Sequence, residues 1–215
     1  MSRNKAVIGI VTVVTAGTAV LVAVLGHTSS GNSATAASPA ALFSAFSASA
    51  AGPADDQVRA IADDVGADAQ DLSTVRTLTS ELGRFHSRLV AFPSFHGQNI
   101  CYSLLGAEPT DPGMTYCYRP RYAGAPAGLA GEHFSVSALE GHTGPDGDVG
   151  TQVFGVAEDG VVGARVLVAG SWRKIPITDN ALYLDLPGVP RSDVGTLEVT
   201  LSDGSTQLHD LQTGL

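Results

Sequence analysis

From Thr151 onward the chain is cut into short apolar runs at nearly regular intervals. "TQVFGVA" precedes Asp159-Gly160, "VVGARVLVA" precedes Gly170-Ser171, "WRKIPIT" precedes Asp179-Asn180, "ALYLDL" precedes the longer "PGVPRSD", and "VGTLEVTL" precedes Asp203-Gly204 and "STQLHDL". Runs of this length, bounded by turn residues, read as strands. Asp-Gly and Asp-Asn suit tight hairpin turns whose two central residues take positive φ. Six short strands in about 60 residues predict a β-sandwich. Period-2 alternation points Val162, Ala164, Val166 and Val168 inward, and sets Ile175 and Ile177 against Leu182, Leu184 and Leu186 across a hairpin.

The strand pattern begins earlier. "SRLVAFP" (Ser87 to Pro93) and "QNICYSLL" (Gln98 to Leu105) flank "SFHG" as a hairpin. Ahead of them, "DDQVRAIADDVG" places Val58, Ile61, Ala62 and Val65 at helical spacing between an acidic cap and Gly66. "DLSTVRTLTSEL" accepts a helical turn or two behind Asp71, although Val75, Thr77 and Thr79 suit a strand as well.

The N-terminus is of a different kind. Arg3 and Lys5 precede "AVIGIVTVVTAGTAVLVAVL", 20 uncharged residues from Ala6 to Leu25, enough for a helix to cross about 30 Å of hydrocarbon. Secretory signal peptides have shorter apolar cores, and the first small-residue site, Ala34-Thr35-Ala36, lies well past this one, so an uncleaved anchor is expected over a cleaved leader and a secreted chain. Basic residues before the span and no charge after it until Asp55 place residues 1–5 in the cytoplasm and the C-terminal domain outside, a single-pass arrangement in the cell membrane. Residues 27–54, rich in Ser, Ala, Gly and Pro, read as a flexible linker. Its apolar knot "SPAALFSAF" suits a short helix whose Leu42, Phe43 and Phe46 dock on the domain or on the bilayer.

The chain has only two cysteines, Cys101 inside "NICYSLL" and Cys117 inside "MTYCYR", joined by a loop with Pro109, Pro112 and Gly113. Their spacing fits neither a zinc nor a redox C-x-x-C pair. In an oxidising exterior, two cysteines on neighbouring strands are expected to form a disulfide that resists reduction until the domain unfolds.

Net charge is −9, and residues 132–215 carry −8 of it, from twelve acidic and four basic residues. An acidic surface without a basic stripe disfavours nucleic acid as a partner. The expected partners are the bilayer, through residues 6–26, and an envelope protein or glycan.

Candidate chemistry is sparse. His96 is separated from Cys101 by Gly, Gln, Asn and Ile, unlike the contiguous "SHGC" of L,D-transpeptidases, and the elbow G-x-S-x-G is absent. The richest metal-ligand window is "GEHFSVSALEGHTGPDGD", with Glu132, His133, Glu140, His142, Asp146 and Asp148. A zinc hydrolase needs three converging ligands and an open position. On a strand, however, Glu132 and His133 point to opposite faces, and His142 and Asp146 fall in a Gly-Pro-rich loop. His133, Glu140 and His142 are thus the metal candidates, and they underlie a second reading as a metal-dependent envelope hydrolase. Otherwise no catalytic residue, cofactor or metal site is expected. Trp172, the sole tryptophan, opens a strand and serves either packing or, if exposed, a ligand.

The order "LVAFPS", "ICYSL", a second Cys, "VFGVAEDGVVGARVLVAG" and "ITDNALYLDLP" resembles a group of uncharacterised, membrane-anchored extracytoplasmic proteins of high-GC Gram-positive bacteria. The likeness covers roughly Leu42 to Leu186 and implies the same layout but no activity. The expected protein is therefore mainly β: an N-terminal transmembrane helix, a flexible linker and one or two short helices precede a β-sandwich-like ectodomain of about nine short strands. Residues 55–131 form the helical and disulfide-stapled part and 132–215 the sandwich. Its expected role is binding or envelope architecture rather than catalysis.

Overall fold

The computed structural model describes residues 42–47, 56–67, 72–83, 86–94, 99–107, 113–120, 133–142 and 149–212. They form three four-stranded antiparallel sheets with two short helices. The first sheet is a meander of β1 (Arg76–Leu82), β2 (Ser87–Ser94), β3 (Asn99–Leu105) and β4 (Met114–Tyr118). In the second, β5 (Phe134–His142), β6 (Val149–Ala157), β10 (Ala181–Pro187) and β9 (Ile177–Thr178) lie side by side. The third runs β12 (Thr206–Asp210), β11 (Val194–Leu201), β7 (Val161–Val168) and β8 (Ser171–Ile175). Twelve strands among the described residues thus replace the nine expected. Among these residues no helix is long and apolar enough to cross a membrane. The apolar run Ala6–Leu25 and most of the linker lie outside them.

Alternating side chains assign each face to a core. On β6, Val153 and Ala157 join Val166, Leu182 and Leu197 between the second and third sheets, while Phe154 and Val156 point the other way, to Leu89, Ile100 and Tyr102 of the first sheet. On β2 and β3, Val90, Phe92, Cys101 and Leu105 turn from that core to α2 (Asp56–Asp64). The layers are therefore helix, sheet, sheet, sheet. Two sheets are covered on both faces, which is why β6 is buried from Gly150 to Ala157 and β3 from Ile100 to Leu105. The third sheet alternates, with one face on the core and one in water. Gly155 is required by close approach in the middle layer: a Cβ there would lie 2.1 Å from the Ser135 carbonyl oxygen of β5.

The amphipathic helix forms as expected. Val58, Ile61 and Ala62 of α2 are buried, and the helix ends where Gly66 takes φ 67°. There the Ala67 and Gly66 N–H groups donate to the carbonyls of Ala62 and Asp63, closing the last turn. By contrast, the "RTLTSEL" segment is strand β1 and not a helical turn. Its β-branched residues suit the pleat, and it satisfies the edge of β2, a strand buried on both faces.

Three further expectations change. Asp159-Gly160 does not close a hairpin, because β6 and β7 belong to different sheets and the turn carries the chain between them. The tight turns with two positive φ angles are Asp179-Asn180 (48° and 66°) and Ala169-Gly170 (45° and 80°), the second one residue earlier than expected. Ile175 and Ile177 do not share a strand: Pro176, without an N–H to continue a ladder, separates β8 in the third sheet from β9 in the second, so only Ile177 pairs with Leu182. Finally, Val162 is 62% exposed while Val161 is buried. The register shifts there, since Thr200 pairs with Gly163 but Leu201 with Val161, and the extra residue is extruded.

The linker's apolar knot docks on the domain. Phe43, just before the short helix α1 (Ser44–Ser47), and Phe46 within it are buried against the first two sheets, with Phe43 edge-on to Tyr118. Asp159 Oδ1 accepts from the Ser44 N–H (3.0 Å), the Ser44 hydroxyl (3.0 Å) and Asn180 Nδ2 (2.8 Å). Asn180 Oδ1 accepts from the Ala45 N–H at 2.9 Å, and its Nδ2 also donates to the Ala157 carbonyl at 2.8 Å.

Cys101 and Cys117 form a disulfide, directly opposite each other on β3 and β4 with Cα atoms 4.0 Å apart. Such bonds persist in oxidising, extracytoplasmic compartments. Cys101 is fully buried, whereas Cys117 occupies an exposed position on β4, so access to the Cys117 sulfur decides whether reduction requires unfolding. Beside the bond, Tyr102 stacks on Tyr116, and its hydroxyl lies 3.0 Å from Ser135 Oγ and 3.3 Å from Ser137 Oγ, tying the first sheet to the second.

Candidate functional site

Of the residues singled out as metal candidates, His133 and Glu140 lie far apart. His133 lies just before β5, with Nδ1 2.9 Å from Oε2 of buried Glu158, and the Glu158 N–H donates to the His133 carbonyl. Glu140 sits seven residues further along the strand, roughly 23 Å away. Its Oε2 accepts from the Arg191 N–H at 2.6 Å. Arg191 in turn donates to the carbonyls of Ala138, Val194 and Leu211, fastening the end of the chain to the second sheet. His142 ends β5, opposite Val149. Glu132, Asp146 and Asp148 lie outside the described residues. Among the described residues, no three His, Cys, Asp or Glu side chains are grouped to hold a metal ion.

The water-facing side of the third sheet gathers a different set. Register aligns Lys174 of β8, Arg165 of β7, Glu198 of β11 and Leu208 of β12 in one row across the four strands, and Trp172 lies opposite Leu167 in the next. Arg165 Nε donates to Glu198 Oε1 at 2.8 Å, and its Nη2 to Oε2 at 2.9 Å. This two-point fork holds the guanidinium flat, with its carbon 4.6 Å from the centroid of the Trp172 ring. The Glu198 hydrogen bonds push Arg165 above its ordinary pKa against an opposing effect of burial, so the guanidinium stays charged through any physiological pH.

Trp172 is 41% exposed and Leu208 68%. An open depression of about 540 Å³ lies over the row, bordered by Arg165, Trp172, Lys174, Glu198 and Thr200. Gly163 forms part of its floor, where a Cβ would meet only Thr200, at 3.6 Å. The chain matches no protein-family model, no curated protein and no solved structure.

An exposed bidentate ion pair contributes little to stability, about 0 to 1 kcal/mol. What this one does is geometric: it fixes a planar cationic group against an indole on the outside of a rigid sheet. The surface thereby offers an aromatic face, unused N–H donors on Arg165, a carboxylate and a lysine, without a nucleophile and base in contact. Of this set the sequence points only to Trp172. Arg165 and Glu198 are 33 residues apart, and the sole cue to their meeting is that each stands at an outward position of an alternating strand.

Proposed function

We propose that the chain is a single-pass, membrane-anchored extracytoplasmic protein, like the group it resembles, that its role is binding, and that the outer face of the third sheet is its working surface. The observation that carries this reading is the Trp172–Arg165–Glu198 arrangement, a large, part-exposed aromatic beside a positioned ion pair on the water-facing side of the sheet. Support for the location comes from the disulfide, from Arg3 and Lys5 ahead of the apolar run Ala6–Leu25, and from the acidic remainder of the chain. Because residues 42–47 are part of the fold, only residues 27–41 separate it from the anchor, a reach of at most roughly 50 Å. The domain, a β-sandwich of the last two sheets with a third sheet packed on it, would work close to the membrane, on the inner layers of an envelope.

A photo-crosslinking residue in place of Leu208, in the full chain in intact cells, tests this. Adducts with an envelope component are expected from position 208 and not from Arg59, an exposed position on α2. Adducts only with cytoplasmic proteins, or the same adducts from both positions, would refute it.

A further inference from the structure

Resting on that reading, we propose that the face takes an acidic polysaccharide, a sugar polymer bearing carboxylate or phosphate groups, with Trp172 as its stacking platform and Lys174 and Arg165 as its anion contacts.

Charge is the first ground. Residues 132–215 hold twelve acidic side chains and four basic ones, yet from Val161 to Thr178 there is no acid and there are three basic residues, of which Arg165 and Lys174 are cross-strand neighbours. On the outer face the paired Arg165 and Lys174 supply the positive charge, while Arg173, opposite inward Val166, points to the other side of the hairpin. The acid beside this pair, Glu198, already has both oxygens on Arg165. No carboxylate among the described residues lies within ion-pair reach of Arg173 or Lys174. Asp210, at the opposite edge strand, accepts from the Gln212 N–H and biases an acidic ligand toward the β7–β8 side.

Shape and chemistry supply the second. Small-molecule sites enclose most of their ligand, whereas this depression is open and lies across neighbouring strands, a form suited to a few units of a long chain. Sugar rings present apolar C–H faces that stack on indole and hydroxyls that bond to planar forked groups. Arg165 leaves Nη1 unused by Glu198, and Thr200 adds a hydroxyl at the border. Since the indole and guanidinium already hold one another, little side-chain freedom is lost on binding. The face has a single exposed aliphatic residue in its central row, Leu208, which is less than the core of a protein interface requires.

Trp172 is the only tryptophan, so fluorescence excited at the red edge of the absorption band, where tyrosine does not absorb, reports on this site alone. The full-length protein in detergent is titrated with oligogalacturonate, with poly(glycerol phosphate) and with neutral dextran. A saturable change is expected with at least one of the two acids, and which one responds identifies the acidic group. Binding should weaken as NaCl rises from roughly 0.05 to 0.3 M, and dextran should bind at least about tenfold more weakly, the loss of one charge-assisted contact. Lys174→Ala should lose about tenfold for the same reason, whereas Arg59→Ala, with the same charge change elsewhere, should stay within about twofold. Trp172→Ala, tested by co-sedimentation with the immobilised polymer, should not be retained.

No saturable response to either acid, equal affinity for dextran, or undiminished binding by Lys174→Ala would overturn the assignment. If these titrations fail while position 208 still crosslinks to an envelope protein, the acidic polysaccharide falls and the working-face reading stands. Failure of both removes the face as a site.

Discussion

Replacing Asn180 with alanine is expected to be among the costliest single changes outside the apolar cores. The side chain is buried and makes three good hydrogen bonds, to the Ala157 carbonyl, Asp159 Oδ1 and the Ala45 N–H, and each contributes about 1 kcal/mol net. The residue also sits at φ 66°, where asparagine is tolerated but alanine costs about 1 kcal/mol more. The expected loss is therefore about 4 kcal/mol, a large share of a typical domain's stability. Asn180→Gly removes the same hydrogen bonds but not the permitted backbone, so it should be milder by about 1 kcal/mol. Urea titrations of the full-length protein, with an unchanged m-value, measure both. A second readout is local: without Asn180, the Ala45 N–H of α1 loses its acceptor and Asp159 loses the donor that positions it, and chymotrypsin should reach Phe43 and Phe46 under native conditions. An alanine variant within about 1 kcal/mol of wild type, or a glycine variant no milder than alanine, would refute this account of the turn.

The carboxyl of Asp159 extends the prediction to pH. Burial pushes it up, but the hydrogen bonds from Asn180 and from the N–H and hydroxyl of Ser44 outweigh that and hold it below its ordinary 3.8. A depressed folded pKa stabilises above the unfolded value and loses that contribution as pH falls through the folded one. The stability gap between wild type and Asp159→Asn should thus be constant near neutrality and close below about pH 4, as read by thermal unfolding across that range. For the disulfide, Cys101→Ala with Cys117→Ala should cost about 3 kcal/mol, as expected for a loop of this length. Dithiothreitol should open the bond without global unfolding, with mixed disulfides forming at exposed Cys117, as mass spectrometry of quenched samples would show. The bulge in β7 makes neighbouring valines unequal: Val161→Ala should cost at least about 1.5 kcal/mol, and Val162→Ala less than about 0.5, in the same unfolding assay.

How far the chain could be read depended on the range of the signal. The α2 helix, the β2–β3 hairpin and the strands after Thr151 follow from periodicity and turn chemistry, which act over a few residues. The "VRTLTSEL" segment was ambiguous because Val75, Thr77 and Thr79 satisfy either period, and only the open edge of β2 decided it. At Pro176, at Asp159-Gly160 and at Val162 the local pattern was strand-like on both sides and silent about a change of sheet or phase. In the metal-ligand window, likewise, His133 and Glu140 are close in sequence, but an extended strand holds them far apart.

By itself, then, the sequence determined that this is a mainly β protein with one short amphipathic helix, an apolar run of membrane-spanning length and a cysteine pair with no other partner available. Those are consequences of composition, short-range alternation and count. Tertiary structure decided which strands share a sheet, that two sheets are covered on both faces and the third on only one, and that Arg165, Trp172 and Glu198 meet on the side left in water. A strand's alternation states that it has two faces; what lies against each is set only when the layers stack.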